Sequence, residues 1–383
     1  MKTKALELYV HIPFCISKCK YCDFCSFQAS EELICRYMEK LTEELRQWAV
    51  KLGHPGVSTV FVGGGTPSSV KKEHIERLCH VIFEEFLVSD DAEITIEANP
   101  GTVNPDKLLS YRKSGINRIS FGLQTTIPEE LSYLGRIHTY EEFYQGFQWA
   151  REAGFENINV DLMSAIPKQT IRSYEESLRK TAGLGPEHIS AYSLIIEEGT
   201  PFYEDESPET DLPSEDEEVR MYQMTGEILS EYGYRQYEVS NYAKKGYESH
   251  HNLGYWSAVP YLGVGLNASS YLEGKRFDHP SDMKEYLLTE DFCKVLETAP
   301  VLSVKEQMEE FMFLGLRKTQ GVSKKAFGQQ FSCTMASVYK DVINQSVKSG
   351  YMEETEEFLR LTKDGILISN QVLCEFLLSD ETL

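Results

Sequence analysis

The sequence predicts an α/β fold: a sheet of parallel strands alternating with helices, followed by a smaller C-terminal domain that is mainly helical and winged-helix-like. Two observations lead there. Six short β-rich runs recur through the first half, each followed by a stretch of helical period, with Gly or Pro at most junctions. After about Gly246 the alternation gives way to aromatic and glycine-rich segments up to Tyr271, and then mostly to helices.

In chain order the predicted strands are Glu7 to Ile12, Val57 to Val62, Glu93 to Glu97, Asn117 to Gly122, Asn157 to Leu162 and His188 to Ile195. The helices between and after them fall near Glu31 to Leu52, Lys71 to Leu87, Pro105 to Ser114, Tyr140 to Ala153, Ile171 to Leu184 and Glu215 to Glu231. Such alternation implies a parallel sheet, either an open doubly wound one or a barrel. In both, reactive groups gather at the carboxyl ends of the strands, where the connecting loops are free to vary. The Gly63 to Thr66 run, Glu97, Gln124 and Asp161 all fall at such ends, which points to one shared site. Towards the C-terminus, Glu306 to Arg317, Lys324 to Phe331 and Met335 to Lys348 read as helices, and Tyr351 to Ile368 completes the outline of a winged-helix module with a small hairpin.

A chain of 383 residues is long enough for one large core and a smaller appended domain. Thirty-eight Lys and Arg against sixty Asp and Glu give a net charge of -22, which repels phosphate backbones and anionic lipid. Nucleic acid is therefore not an expected partner, and in the winged-helix segment Lys340, Lys348 and Arg360 are offset by Glu353, Glu354, Glu356 and Glu357. The acidic run Glu197 to Glu218 reads as a solvated loop. Neither a secretory signal nor an eighteen-residue apolar window is present, so a cytoplasmic location is expected, with membrane contact only through a partner.

Nine cysteines in a reducing compartment argue against a disulfide framework. Cys35, Cys79, Cys293, Cys333 and Cys374 are scattered and read as small buried hydrophobes. Cys15, Cys19 and Cys22 are different. They form C-x-x-x-C-x-x-C directly after the first predicted strand, in a loop that also holds Pro13 and Lys18. Clustered thiolates suit zinc or an iron–sulfur cluster, and a structural zinc site would need a fourth ligand that no nearby Cys/His pair supplies. Three thiolates leave one iron of a 4Fe-4S cubane open. Cys25 would close it as a fourth ligand and is read as a bystander. The Gly63-Gly64-Gly65-Thr66-Pro67 run lacks both the lysine of a P-loop and the spacing of a dinucleotide fingerprint.

Tyr9-Val10-His11-Ile12-Pro13-Phe14-Cys15, Lys18-Cys19-Lys20-Tyr21-Cys22-Asp23-Phe24 and the GGGTP run together resemble the radical S-adenosylmethionine (SAM) family that includes oxygen-independent coproporphyrinogen III oxidase. The resemblance continues through Glu97-Ala98-Asn99-Pro100, Ser120-Phe121-Gly122-Leu123-Gln124, Leu134-Gly135-Arg136 and Asn159-Val160-Asp161-Leu162, and covers nearly the whole chain. It implies a partial (β/α) barrel of the radical SAM kind, with the cluster held by Cys15, Cys19 and Cys22 and its open iron ligated by SAM. By position it implies that Tyr9, Tyr21, Gly64, Gly65, Thr66, Glu97, Gln124, Arg136 and Asp161 surround SAM. Arg136 is suited to the SAM carboxylate, and Glu97 or Asp161 to ribose hydroxyl or amino groups.

Within that family the likeness is greatest to the heme chaperone branch, because His251-Asn252-Leu253-Gly254-Tyr255-Trp256 resembles its HNxxYW heme-associated motif. Neutral imidazole is a good axial ligand for heme iron, and Tyr255 and Trp256 offer flat faces to a porphyrin. His251 is the preferred ligand candidate, with His250 as the alternative. The expected division is a radical SAM barrel at 1–240, a connecting region with the heme motif at 241–300, and the winged-helix-type domain at 301–383. The resemblance implies a heme carrier that passes heme to an acceptor protein and takes electrons from a donor. Its alternative is the oxidase activity itself, against which stand two departures. Tyr9 lies almost at the start of the chain, and Cys22-Asp23-Phe24-Cys25 replaces the oxidase's C-x-C ending. The branch's usual residue at Cys25 is asparagine.

Overall fold

The computed structural model describes residues 6–205 and 211–378. Eleven strands form one sheet: β1 (Leu6–Ile12), β2 (Gly56–Gly64), β3 (Leu87–Ala98), β4 (Arg118–Gln124), β5 (Asn157–Ser164), β6 (His188–Ser193), β7 (Arg235–Gln236), β8 (Asn241–Ala243), β9 (Tyr261–Val264), β10 (Ser269–Leu272) and β11 (Lys275–Asp278). Their spatial order is β11-β10-β9-β1-β2-β3-β4-β5-β6-β8-β7.

This order decides between the two architectures. Strands β1 to β6 lie side by side in chain sequence and pair in parallel throughout. A doubly wound sheet would reverse its order at a switch point. Successive right-handed crossovers instead curl the sheet into a barrel wall, and with β6 and β1 not paired to each other the barrel is partial. On one flank β9 continues the parallel set beside β1, and on the other β8 runs antiparallel to β6. Residues 241–278 thus contribute four strands to the barrel sheet.

The alternation within the strands shows how the barrel is filled. Leu8, Val10, Ile12, Val60, Val62, Ile94, Ile96, Ile119, Phe121, Ile158 and Val160 are buried in the main apolar core, against helices such as Glu31–Leu52 with its buried Leu41, Leu45 and Trp48. The opposite faces carry Glu7, Thr59, Glu93, Thr95, Arg118, Ser120, Asn159 and His188, all buried. The barrel interior is therefore polar, and buried polar groups require partners.

A second apolar core gathers Met308, Met312, Phe327, Tyr339, Ile343, Leu359 and Phe376. It is built from the helices Val304–Gly315, Lys324–Phe331 and Met335–Lys348 and a small sheet of β12 (Val322–Ser323), β13 (Met352–Glu354) and β14 (Phe358–Leu361), in the order β12-β14-β13. The predicted hairpin is the β13–β14 pair. The Arg276 guanidinium ties the two units through Glu310 at 2.5 Å.

Two expectations need correction. The acidic run is not one loop: Pro201–Glu204 is a helical turn, and Glu215 to Glu218 form the first turn of the helix Glu215–Glu231, capped by Ser214. Carboxylates there face the positive end of the helix dipole, so charge density favours helix rather than loop. Residues 206–210 of the run lie outside the described residues. Nor are the scattered cysteines uniformly buried: Cys79 and Cys293 are, Cys35 and Cys333 are half-buried, and Cys374 is exposed.

Candidate functional site

The cysteine loop leaves β1 at Pro13 and is closed at its base by a bridge between Phe14 and Phe27. Cys15 N–H donates to the Phe27 carbonyl at 3.0 Å, and Phe27 N–H donates to that of Pro13 at 2.9 Å. The Phe14 ring packs edge-on against Phe27 and Tyr37, which anchors the loop to the apolar core.

The glycine run fits beside it for reasons of space. Gly65 N–H donates to the Ile12 carbonyl and Thr66 N–H to that of Phe14, at 2.9 and 2.8 Å. A Cβ on Gly65 would lie 2.9 Å from the backbone N and O of Phe14. Gly64 has a φ of 112° and faces the His11 ring, and its N–H donates to Glu97 Oε2 at 3.1 Å. Side chains here would hold the two loops apart.

Above the strand ends is a cavity of about 320 Å3. Cys15, Cys19, Cys22, Tyr21, Gly64, Gly65, Thr66, Glu97, Gln124, Arg136 and Asp161 all line it. Of the residues named for this site from sequence, Tyr9 does not. It lies lower in the barrel, stacked on Phe61, with its hydroxyl 3.0 Å from His11 Nδ1. His11 Nε2 lies 2.9 Å from the Cys25 carbonyl, so Tyr9 supports the cysteine loop from beneath.

Each sulfur has a polar neighbour. Thr66 Oγ1 is 3.4 Å from Cys15 Sγ, Arg136 Nη1 is 3.5 Å from Cys19 Sγ, and Ser26 Oγ is 3.8 Å from Cys22 Sγ. Burial raises the Cys22 thiol, and the Ser26 hydroxyl works against that shift. The sulfurs are too dispersed for one tetrahedral ion. Among the described residues, the trio of Cys, His and acidic ligand atoms that lies within 4.8 Å of one another is a different one, Glu31, Cys35 and His74. Cys25 is absent from the cavity lining, and its side chain packs against the main apolar core.

Asn99 was not singled out from the sequence, yet it organises the site. Its Nδ2 donates to Thr66 Oγ1 at 2.8 Å, while its Oδ1 accepts from Arg136 Nη2 at 2.8 Å. The Arg136 guanidinium also donates to the Gly122 carbonyl. Ser120, Ser190 and Tyr192 complete the wall, and the Tyr192 hydroxyl donates to Gln124 Oε1 at 2.9 Å. Gln124 adopts a left-handed φ of 73°, a conformation that non-glycine residues hold at a cost. Burial, with Asp161 nearby, pushes the Glu97 carboxyl up to about 8, and burial also raises that of Asp161. The donors they already have, Gly64 N–H for Glu97 and Asn159 Nδ2 for Asp161, only partly offset that burial.

From Asp161 a buried hydrogen-bonded path descends the barrel. Asn159 Nδ2 donates to Asp161 at 2.7 Å, Asn159 Oδ1 lies 2.6 Å from His188 Nδ1, and His188 Nε2 lies 2.8 Å from the Tyr237 hydroxyl. Tyr237 accepts from Ser249 N–H at 3.3 Å, and Ser249 Oγ donates to Glu93 at 3.2 Å. Ser249 caps the helix His250–Tyr255, which holds most of the HNxxYW-like segment. That helix closes the end of the barrel remote from the cysteines, with Glu93 accepting the backbone N–H groups of His250 and His251 at 3.2 Å.

His251 is only 1% exposed, and both ring nitrogens are engaged, by Thr59 at 2.7 Å and Tyr255 at 3.0 Å. Its ring stacks on Phe61. Burial keeps it neutral. His250 is exposed, Asn252 is half-buried, and the Trp256 ring lies 4.5 Å from the Arg317 guanidinium. In this conformation the motif is a folded plug with no open ring nitrogen on His251, the Tyr255 ring packs against His251 and Tyr261, and Arg317 lies over the Trp256 ring.

Residues 9–181 match the Radical SAM superfamily, and residues 302–368 match the HemN C-terminal domain. The heme chaperone HemW of Bacillus subtilis is 38% identical, with 96% of this chain and 98% of that protein covered. Those of Lactococcus lactis and Escherichia coli are 36% and 32% identical, covering 99% and 98% of this chain and 99% of each relative. The chain belongs to the HemW family. Among solved structures, coproporphyrinogen III oxidase (HemN) from Escherichia coli, a radical SAM enzyme, is similar with a TM-score of 0.84. That likeness, at 24% identity over 98% of this chain and 90% of the other, concerns the fold. For a HemW family member with a radical SAM barrel, the residues fit a 4Fe-4S cluster and SAM. Three thiols share one cavity, no fourth cysteine lines it, and Arg136, Glu97 and Asp161 line the same cavity.

Proposed function

We propose that this chain is a heme chaperone that binds a SAM-ligated 4Fe-4S cluster and heme, and transfers heme to an acceptor protein in the cytoplasm. The full-length similarity to HemW proteins carries this reading. Cys15, Cys19 and Cys22 hold the cluster, and Cys25, turned into the apolar core, leaves the fourth iron to SAM. Arg136, held by Asn99, offers its charge to the SAM carboxylate. Gly64 and Gly65 admit the ligand close to the backbone, while Tyr21, Thr66, Glu97, Gln124 and Asp161 supply hydrogen bonds around it. When bound, the cluster would supply the one-electron reduction that cleaves the SAM sulfonium bond, on an electron taken from a donor protein.

Heme binding at His251, Asn252, Tyr255 and Trp256 requires the plug to open, because His251 must release Thr59 or Tyr255 before it can ligate iron. Membrane contact, if the acceptor is membrane-bound, comes through that acceptor: among the described residues no helix is long and apolar enough to cross a membrane.

The test is anaerobic reconstitution of iron and sulfide, followed by heme titration and assays for 5′-deoxyadenosine and for protoporphyrinogen from coproporphyrinogen III. Stoichiometric heme binding and transfer without protoporphyrinogen supports the chaperone. Protoporphyrinogen formation with SAM and reductant would replace it with the oxidase activity.

A further inference from the structure

Outside the cavity, three side chains bring metal-ligand atoms together, and neither the SAM nor the heme reading uses them. Glu31 and Cys35 lie one turn apart in the first turns of the helix Glu31–Leu52, and His74 lies in the first turn of the helix Lys72–Glu85. Residues four apart on a helix share a face. Cys35 Sγ is 3.8 Å from Glu31 Oε1 and 3.8 Å from His74 Nε2, and His74 Nε2 is 3.6 Å from Glu31 Oε1.

These separations are close to those of one tetrahedral ion. Ordinary zinc bonds to sulfur, nitrogen and oxygen set S···N and S···O edges of about 3.6 Å and an N···O edge of about 3.3 Å. Each pair must close by only about 0.2–0.3 Å. Two helices already fix the positions, so little chain entropy is lost on binding. Thiolate and carboxylate together balance a divalent charge, and a thiolate, imidazole and carboxylate set suits zinc rather than magnesium or calcium.

One group opposes binding. The Lys71 ammonium sits 2.8 Å from Glu31 Oε1 and holds that carboxyl below the usual range. Lys71 is well exposed, with 62% of its side chain accessible, and can swing into water when an ion takes its place. The Glu31 side chain is itself 47% exposed, so a bound ion would keep a solvent-facing position.

We propose that Glu31, Cys35 and His74 form a zinc-type metal site with three protein ligands and one open position. It would clamp the helix that follows the cysteine loop to the helix that follows the glycine run, steadying from outside the two segments that wall the cavity. The site is independent of the heme reading.

The test uses full-length, cluster-reconstituted protein freed of loose metal and titrated anaerobically with cobalt(II), then competed with zinc. One cobalt per chain is expected, with tetrahedral d–d bands measured as a difference against the same protein before addition. Cys35→Ser and His74→Ala should each weaken binding at least tenfold at unchanged iron content. Lys71→Met should tighten it several-fold by removing the competing ammonium, and Cys374→Ser, at an exposed thiol, should leave it unchanged. The proposal is overturned if no cobalt binds beyond the cluster, if the bands survive in both ligand variants, or if Lys71→Met weakens them.

Discussion

The hydroxyl of Thr59 on β2 lies 2.7 Å from Nδ1 of His251, so the HNxxYW-like helix is fastened to the barrel wall through the very residue expected to ligate heme. Removing the imidazole leaves the buried Thr59 and Tyr255 hydroxyls without that partner and unstacks Phe61. His251→Ala should therefore destabilise the chain by about 2–4 kcal/mol. Urea unfolding checks this, and a loss under 1 kcal/mol would show that the plug is not a structural element. His250→Ala, at an exposed position, should change stability little and tests the alternative ligand without disturbing the plug.

Buried acids and histidines set opposite limits on stability with pH. Burial raises Glu7 and Glu44 to about 8, so both bind protons in the folded chain that an unfolded chain releases above about 4.5. Their contribution is complete below about 4.5 and fades as pH rises through 8. Burial lowers His251 to about 3 and His279 to about 4, so their contribution is present above about 6.5 and fades as pH falls towards those values. Stability should peak between about pH 4.5 and 6.5 and fall towards pH 9. A rise from pH 6 to pH 9 in unfolding free energy would refute the assignment of neutral buried carboxyls.

Arg136 contacts Asn99, the Gly122 carbonyl and Cys19 together. Arg136→Gln keeps a donor but loses the charge, and charge-assisted bonds are worth roughly 1.5–3 kcal/mol. SAM affinity should drop about 10- to 100-fold while iron content holds, as read by SAM-dependent changes in the cluster's electron paramagnetic resonance. Equal affinity in the variant would remove Arg136 from SAM recognition.

Cys25 faces the apolar core rather than the cavity. Cys25→Ser should keep the full iron and sulfide content and the SAM response, whereas Cys15→Ser, Cys19→Ser and Cys22→Ser should each lose the cluster. A cluster lost on Cys25→Ser would mean that four thiolates, not three, hold it.

Gly65 and Gly183 provide a paired test of the glycine argument. Gly65→Ala forces a methyl against the Phe14 backbone and should cost about 1–3 kcal/mol. Gly183 ends the helix Ile171–Gly183 with open space around it, so Gly183→Ala should be neutral or stabilising by up to about 1 kcal/mol. Equal melting temperatures for the two variants would contradict the close-approach explanation.

The six parallel strands and the cysteine trio were legible because both are local signals. Strand and helix periods repeat within a dozen residues, and Cys15, Cys19 and Cys22 share one loop. The strand-end positions of Glu97 and Gln124 followed from the same alternation, since βα units deliver strand ends to one face, while Asp161 lies three residues before the end of its strand. Asn99 stood inside a quoted motif, yet no local rule marks it as the bridge between Thr66 and Arg136, which meet it from elsewhere in the chain. Tyr9 looked equivalent to the cavity residues but points one layer lower, towards Phe61 and His11.

By itself the sequence determined the strand–helix alternation, the thiolate chemistry and the likeness to radical SAM heme chaperones, because each is written in short-range residue order. Only the tertiary structure showed the strand order that curls the sheet, that Tyr9 lies beneath the cavity, that the His251 helix plugs the far end, and that Cys35 meets His74. Each depends on which side chains are brought together by strand order and helix packing, and residues 39 or 192 positions apart leave no periodic trace of that meeting.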